Sequence, residues 1–114
     1  MFDFIETQDS YYAVVDVAGG VPTIAAQFGP GLMTIVDNGA GDFTLNLAAN
    51  FNIPLNRRRV RVTPRTAAFA IYVYDEAGSA AGTARVRCFD AAAMALDNVS
   101  FFFELNRLVP STGG

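Results

Sequence analysis

The sequence predicts an all-β fold, an antiparallel β-sandwich or jelly-roll-like arrangement of about eight short strands. Three observations carry that prediction. Apolar and polar residues alternate with the period of a strand that has one face buried, most clearly where Phe43, Leu45 and Leu47 interleave with Asp42, Thr44 and Asn46. Glycine and proline turns divide the chain at intervals of roughly ten residues, the spacing of sandwich strands. Crossover helices, which a parallel α/β sheet requires, have no candidate segments.

Residues 1–10 mix Phe2, Phe4 and Ile5 with Asp3, Glu6 and Asp9. They read as an N-terminal arm, either a short edge strand or a segment that docks on a neighbour. The sandwich domain is assigned to residues 11–108, beginning with a strand from Tyr11 to Ala18. Gly19, Gly20 and Pro22 precede an apolar piece, Thr23 to Phe28, that suits a strand or a short helical turn, and Gly29-Pro30-Gly31 ends it.

Leu32 to Asp37 and Asp42 to Leu47 then form the arms of a hairpin. Its connection, Asn38-Gly39-Ala40-Gly41, puts asparagine and two glycines where a tight loop needs positive φ. A slip of one residue would bury the polar set, so the register is well specified. An irregular link from Ala48 to Asn56, broken by Pro54, leads to a fifth strand, Arg57 to Thr63, which Pro64 should stop because proline cannot donate to a ladder.

The sixth strand, Ala68 to Asp75, is apolar on both faces, with Phe69, Ile71 and Val73 on one and Ala70, Tyr72 and Tyr74 on the other. That pattern suggests a central strand, or an outer face covered by a partner. A small-residue loop from Glu76 to Gly82 precedes the seventh strand, Thr83 to Phe89. Ala91 to Leu96 favours a helix of one or two turns, with Asp90 as N-cap. The last strand is Val99 to Leu108, and residues 109–114 read as a loose tail.

Composition narrows the function. The 114 residues make one domain whose single cysteine, Cys88, can form no internal disulfide and reads as a buried thiol. There is no histidine, which excludes Ser-His-Asp and Cys-His nucleophilic sites. Asp37, Asp42, Asp75, Asp90 and Asp97 sit beside turns, where local backbone bonding is their ordinary use, and no loop spacing suggests calcium. The expectation is therefore a protein that is not an enzyme and needs no metal or cofactor.

The basic residues are eight arginines and no lysine, against 11 acids, for a formal charge of −3. Such a balance disfavours general nucleic-acid binding, which rests on neutralising many phosphates. No apolar run reaches the roughly 18 residues of a membrane span, and the N-terminus is acidic where a signal peptide is basic, so synthesis in a cytoplasm is expected. A hydrophobic fraction of 52% with 17% charged residues implies apolar surface set against another subunit.

Two arginine stripes stand out. Arg57, Arg59 and Arg61 share one side of a strand, and Arg85 with Arg87 repeats the pattern around Val86. Like charges opposed across strands destabilise a sheet, so acids such as Asp75, Asp90 or Glu104, or a partner protein, must answer them. Arginine is favoured at interfaces for its planar donors. Arg58 falls on the apolar side, which suggests that the sheet face changes near that strand's start. Tyr72, Tyr74 and Phe102 either fill the space between sheets or form an aromatic patch opposite the core.

In order along the chain stand Gly39-Ala40-Gly41-Asp42-Phe43-Thr44, the strand Phe69 to Asp75, Arg85-Val86-Arg87-Cys88-Phe89-Asp90, and the aromatic strand Val99 to Leu105. This order resembles small all-β virion proteins of tailed bacteriophages, in which a Gly-x-Gly-Asp-Tyr-Thr hairpin precedes an Arg-Val-x-x-Phe-Asp strand. Phe43 stands where that pattern has tyrosine. The match covers roughly Gly31 to Leu108. Such domains occur at tail-fibre tips and in capsid decoration or cement proteins.

A 114-residue chain without a fibrous shaft suits the decoration role. The resemblance implies no catalytic residues. It implies a capsid-surface protein, as a homotrimer on the major capsid protein, with Phe2, Phe4, Ile5, the two arginine stripes, Tyr72, Tyr74 and Phe102 as the interface. The alternative is a tail-fibre, spike or head-fibre knob that binds host surface or glycan through Tyr72, Tyr74 and the loop aspartates.

Overall fold

In a computed structural model, which describes residues 10–29, 31–47, 53–66, 69–92, 94–96 and 98–107, the alternating segments become eight strands. They are β1 (Ser10–Ala18), β2 (Val21–Phe28), β3 (Thr34–Gly39), β4 (Asp42–Asn46), β5 (Arg58–Pro64), β6 (Ile71–Asp75), β7 (Thr83–Phe89) and β8 (Phe101–Arg107). Every pairing is antiparallel. Sheet I has the order β2-β1-β8-β5 and sheet II the order β3-β4-β7-β6. The sheets pack face to face, with β5 against β6 along one side and β2 against β3 along the other.

Period-two alternation fills the space between the sheets. Tyr11, Ala13, Val15 and Val17 of β1 and Phe101, Phe103 and Leu105 of β8 point in from sheet I. Phe43 and Leu45 of β4 and Ala84 and Val86 of β7 meet them from sheet II. Phe43 stacks on Phe101 with ring centroids 6.0 Å apart, so the hairpin phenylalanine is a core residue that joins the two sheets. A smaller cluster of Ala70, Cys88, Val99, Tyr72 and Leu96 closes one end. There burial pushes the Cys88 thiol pKa up, although a hydrogen bond with Tyr72 works the other way.

The hairpin turn is as the sequence demands. Gly39 and Gly41 both have positive φ, 137° and 64°. A Cβ on Gly41 would lie 2.7 Å from the carbonyl oxygens of both Cys88 and Leu96, so close backbone approach as well as conformation requires glycine there. The Asp37 carboxylate accepts from the Gly39 amide at 3.0 Å, holding a register shift between the two residues.

Two strand limits are refined and two expectations need revision. The segment Thr23 to Phe28 is strand, starting at Val21, and its Pro22 is tolerated because β2 is an edge. Pro64 ends β5, likewise an edge strand, as its last paired residue. β6 is an edge strand and not a central one. Its two apolar faces arise because Tyr72 and Tyr74 turn inward while Ile71 and Val73 are left exposed.

No α-helix forms over Ala91 to Leu96 among the described residues. A run this short cannot repay helix nucleation. Asp90 instead accepts bonds from the amides of Ala92 and Met94, both at 2.9 Å, and the chain returns to an extended bridge between Phe89 and Ala95.

The arm, apart from Ser10, lies outside the described residues, as do 48–52, Asp97, Leu108 and the tail. Ser10 is the first residue of β1, opposite Asn106 of β8. No helix among the described residues is long and apolar enough to cross a membrane.

Candidate protein interface

The two arginine stripes lie on opposite outer surfaces of the sandwich, because β5 belongs to sheet I and β7 to sheet II. They therefore cannot form one contact surface. Their chemical settings also differ.

On the outer face of sheet II the arginines are answered within the chain. Asp42 of β4 stands opposite Arg87 of β7 and takes a forked pair of bonds from Arg85, Nε to Oδ1 at 2.8 Å and Nη2 to Oδ2 at 2.5 Å. Asp75 of β6 approaches the same guanidinium at 3.5 Å. Arg85 holds the Asp42 carboxyl below the ordinary carboxylate range, against partial burial, and Asn38 adds to the effect. Asn38 also donates to Thr44 at 2.7 Å, and Arg87 lies over the Phe89 ring at 5.2 Å. An apolar strip remains at the β6 edge, where Phe69, Ile71, Val73 and Met94 are exposed.

On the outer face of sheet I, the register sets residues in rows across the strands. One row reads Phe28, Tyr12, Glu104, Arg61, and the next reads Ala26, Val14, Phe102, Thr63. Tyr12, Phe28 and Phe102 are 43%, 70% and 49% exposed, an aromatic patch contiguous across three strands. Ser10, Asn106 and Arg59 form the row on the side where the chain enters β1.

At the opposite end Arg65 closes the patch. It pairs with Asp16 and lies over the Phe102 ring at 5.3 Å. Arg59 and Arg61 are exposed and have no ion-pair or hydrogen-bond partner among the described residues. Although Arg61 stands opposite Glu104, that carboxylate accepts from the Asn106 amide at 3.1 Å. Arg57 precedes the strand, in a single 3-10 turn from Leu55 to Arg57, and is exposed.

The remaining residues of the expected interface separate. Phe102 is on the sheet I surface, whereas Tyr72 and Tyr74 are inside. The Tyr72 ring packs on Phe101 at 4.7 Å between centroids, and its hydroxyl donates to the Val99 carbonyl at 2.6 Å. The hydroxyl of Tyr74 accepts from Arg58 at 3.0 Å. Phe2, Phe4 and Ile5 lie outside the described residues.

Arg58 stands on the apolar side of its strand, as its position in the sequence indicates. The strand does not change face; the guanidinium is simply buried, 8% exposed, at the inward position shared with Val60 and Val62. It donates to the carbonyls of Thr83 (2.7 Å), Ile53 (2.5 Å), Ala80 (2.9 Å) and Ala81 (3.2 Å). These bonds tie β5 of sheet I to the loop before β7 of sheet II. Period-two parity with two core valines was the available signal.

Asp37, Asp75 and Asp90 each accept a bond from a nearby backbone amide, which is turn chemistry. No three of histidine, cysteine, aspartate and glutamate converge on a possible metal position among the described residues. Compared with protein-family models, with curated proteins and with solved structures, the chain has no significant match in any of the three.

Proposed function

We propose that the chain is a structural protein of a phage virion, a decoration or cement domain that binds the major capsid protein as an oligomer and reinforces the shell. The observation that carries this reading is the sheet I surface, where an exposed aromatic patch adjoins two arginines that have no partner among the described residues. Aromatic side chains and arginine are the residues that dominate protein contacts when desolvated. The order of hairpin, arginine strand and aromatic strand supports the virion setting by resemblance.

Sheet I supplies area and charge pairing without chemistry. Tyr12, Phe28 and Phe102 would exclude water against an apolar partner surface, and Arg59 and Arg61 would take acidic groups at its rim. Mechanical reinforcement follows from area buried between neighbouring capsid subunits. The knob alternative needs Tyr72, Tyr74 and the loop aspartates as a glycan platform, and the two rings, packed against the core, weaken it.

Co-sedimentation with empty shells of the virion's own major capsid protein tests the reading. Saturable binding is expected, with Tyr12→Ser plus Phe102→Ser reducing affinity by about tenfold or more. Absence of binding to the shells, or binding indifferent to that pair, would overturn it.

A further inference from the structure

The chain's excess negative charge has a single location. Asp3, Glu6 and Asp9 are three of its 11 acidic residues and precede every arginine, so residues 10–114 hold the remaining 8 acids (11 − 3) against 8 arginines and are formally neutral. The same nine residues include Phe2, Phe4 and Ile5. An acidic and aromatic segment thus belongs to the same chain as an arginine and aromatic surface, the outer face of sheet I, whose Arg59 and Arg61 have no partner among the described residues.

We infer that residues 1–9 of a second copy dock on the outer face of sheet I, laying Phe2, Phe4 and Ile5 against Tyr12, Phe28 and Phe102 and pairing Asp3 and Glu6 with Arg59 and Arg61. This rests on the reading of sheet I as a docking face, but not on the capsid as its partner. Charge and apolar character both match, and neither match needs a foreign protein.

A second copy is favoured over the chain's own segment by local stereochemistry. β1 begins at Ser10 in the row of Asn106 and Arg59, at the margin of the aromatic patch. To cover its own sheet, the chain would have to reverse sharply just before Ser10. Residues 1–9 contain neither glycine nor proline, and of the usual turn residues they hold only Asp3 and Asp9. Continued outward, nine residues span up to about 30 Å, enough to cross a neighbouring sheet. Reciprocal exchange of an identical segment between two copies is also a low-cost route to a closed dimer.

Sedimentation analysis of the full chain and charge-reversed variants tests this. The wild type is expected to self-associate. Asp3→Arg with Glu6→Arg, and separately Arg59→Glu with Arg61→Glu, should each weaken association by about tenfold or more. An equimolar mixture of the two variants should recover a mixed assembly, since the reversed segment of one then meets the reversed face of the other. Docking within one chain would not give that recovery. Unchanged circular dichroism and melting temperature in the dilute variants identify loss of contact and exclude loss of fold.

A monomeric wild type, association indifferent to both reversals, or a mixture that fails to recover would overturn the inference. Shell binding that survives such a result would leave the docking face standing and remove only its proposed occupant. Self-association without shell binding would do the reverse.

Discussion

The two outer faces of the sandwich use the same residue types to opposite effect. On sheet II, Arg85 stands between Asp42 and Asp75, and Asn38 and Thr44 extend the network, so charge is neutralised where it arises. On sheet I, Arg59 and Arg61 project beside Tyr12, Phe28 and Phe102, and Glu104, the acid opposite Arg61, is taken up by Asn106. A face whose charges are answered internally has little to gain from a partner. One that exposes rings next to guanidinium groups without partners among the described residues gains apolar burial when another protein covers it, provided that acids of that protein replace the hydration the guanidinium groups lose.

Arg58 supplies the frame that keeps these faces apart. Its guanidinium bridges the sheets through carbonyls of Ile53, Ala80, Ala81 and Thr83; replacement removes these bonds, while Ala80 and Ala81 keep the amides of Thr83 and Ile53 as partners. Arg58→Met should therefore destabilise the fold by about 1–3 kcal/mol, read by denaturant unfolding. A loss below about 1 kcal/mol would show that the loop carbonyls find water without rearrangement, and that Arg58 is no clamp.

Asp42→Asn is a smaller break, confined to sheet II. Because Arg85 lowers the Asp42 pKa in the folded state, the pair stabilises the protein above the unfolded carboxylate value of about 3.9. That contribution disappears as pH falls through the lower folded value. The variant should melt below the wild type at neutral pH, and the two should converge as pH drops below about 4. Parallel melting curves across that range would show that the forked contact adds nothing to stability.

The smallest effect belongs to sheet I. Arg59→Ser with Arg61→Ser should change the stability of the dilute chain by no more than about 0.5 kcal/mol, since neither side chain has a partner to lose among the described residues. A loss comparable to that of Asp42→Asn would mean that the two faces are not different in kind.

Strand positions were legible because alternation is local. β7 runs over the residues its pattern indicates, Thr83–Phe89, and Asp42 to Leu47 reads correctly as a half-buried arm. Faces were legible only where the two sides differ in polarity. In β6 both sides are apolar, so nothing local says that Tyr72 and Tyr74 go inward and Ile71 and Val73 outward. Alternation also assigns residues to a side of their own strand but not strands to sheets, which is why the arginine stripes, alike in sequence, lie on opposite surfaces. Arg58 was seen at an inward position but not understood, because its partners are backbone carbonyls, to which no residue type in the sequence points.

Hydroxyl-radical footprinting, comparing the assembled protein with the dilute chain, tests most directly whether sheet I is the contact face. Protection is expected at Tyr12, Phe28 and Phe102, while Phe69 and Met94, exposed beside β6 of sheet II, keep their reactivity. Protection of Phe69 and Met94 with Tyr12, Phe28 and Phe102 unchanged would contradict the account and move the interface to the β6 edge.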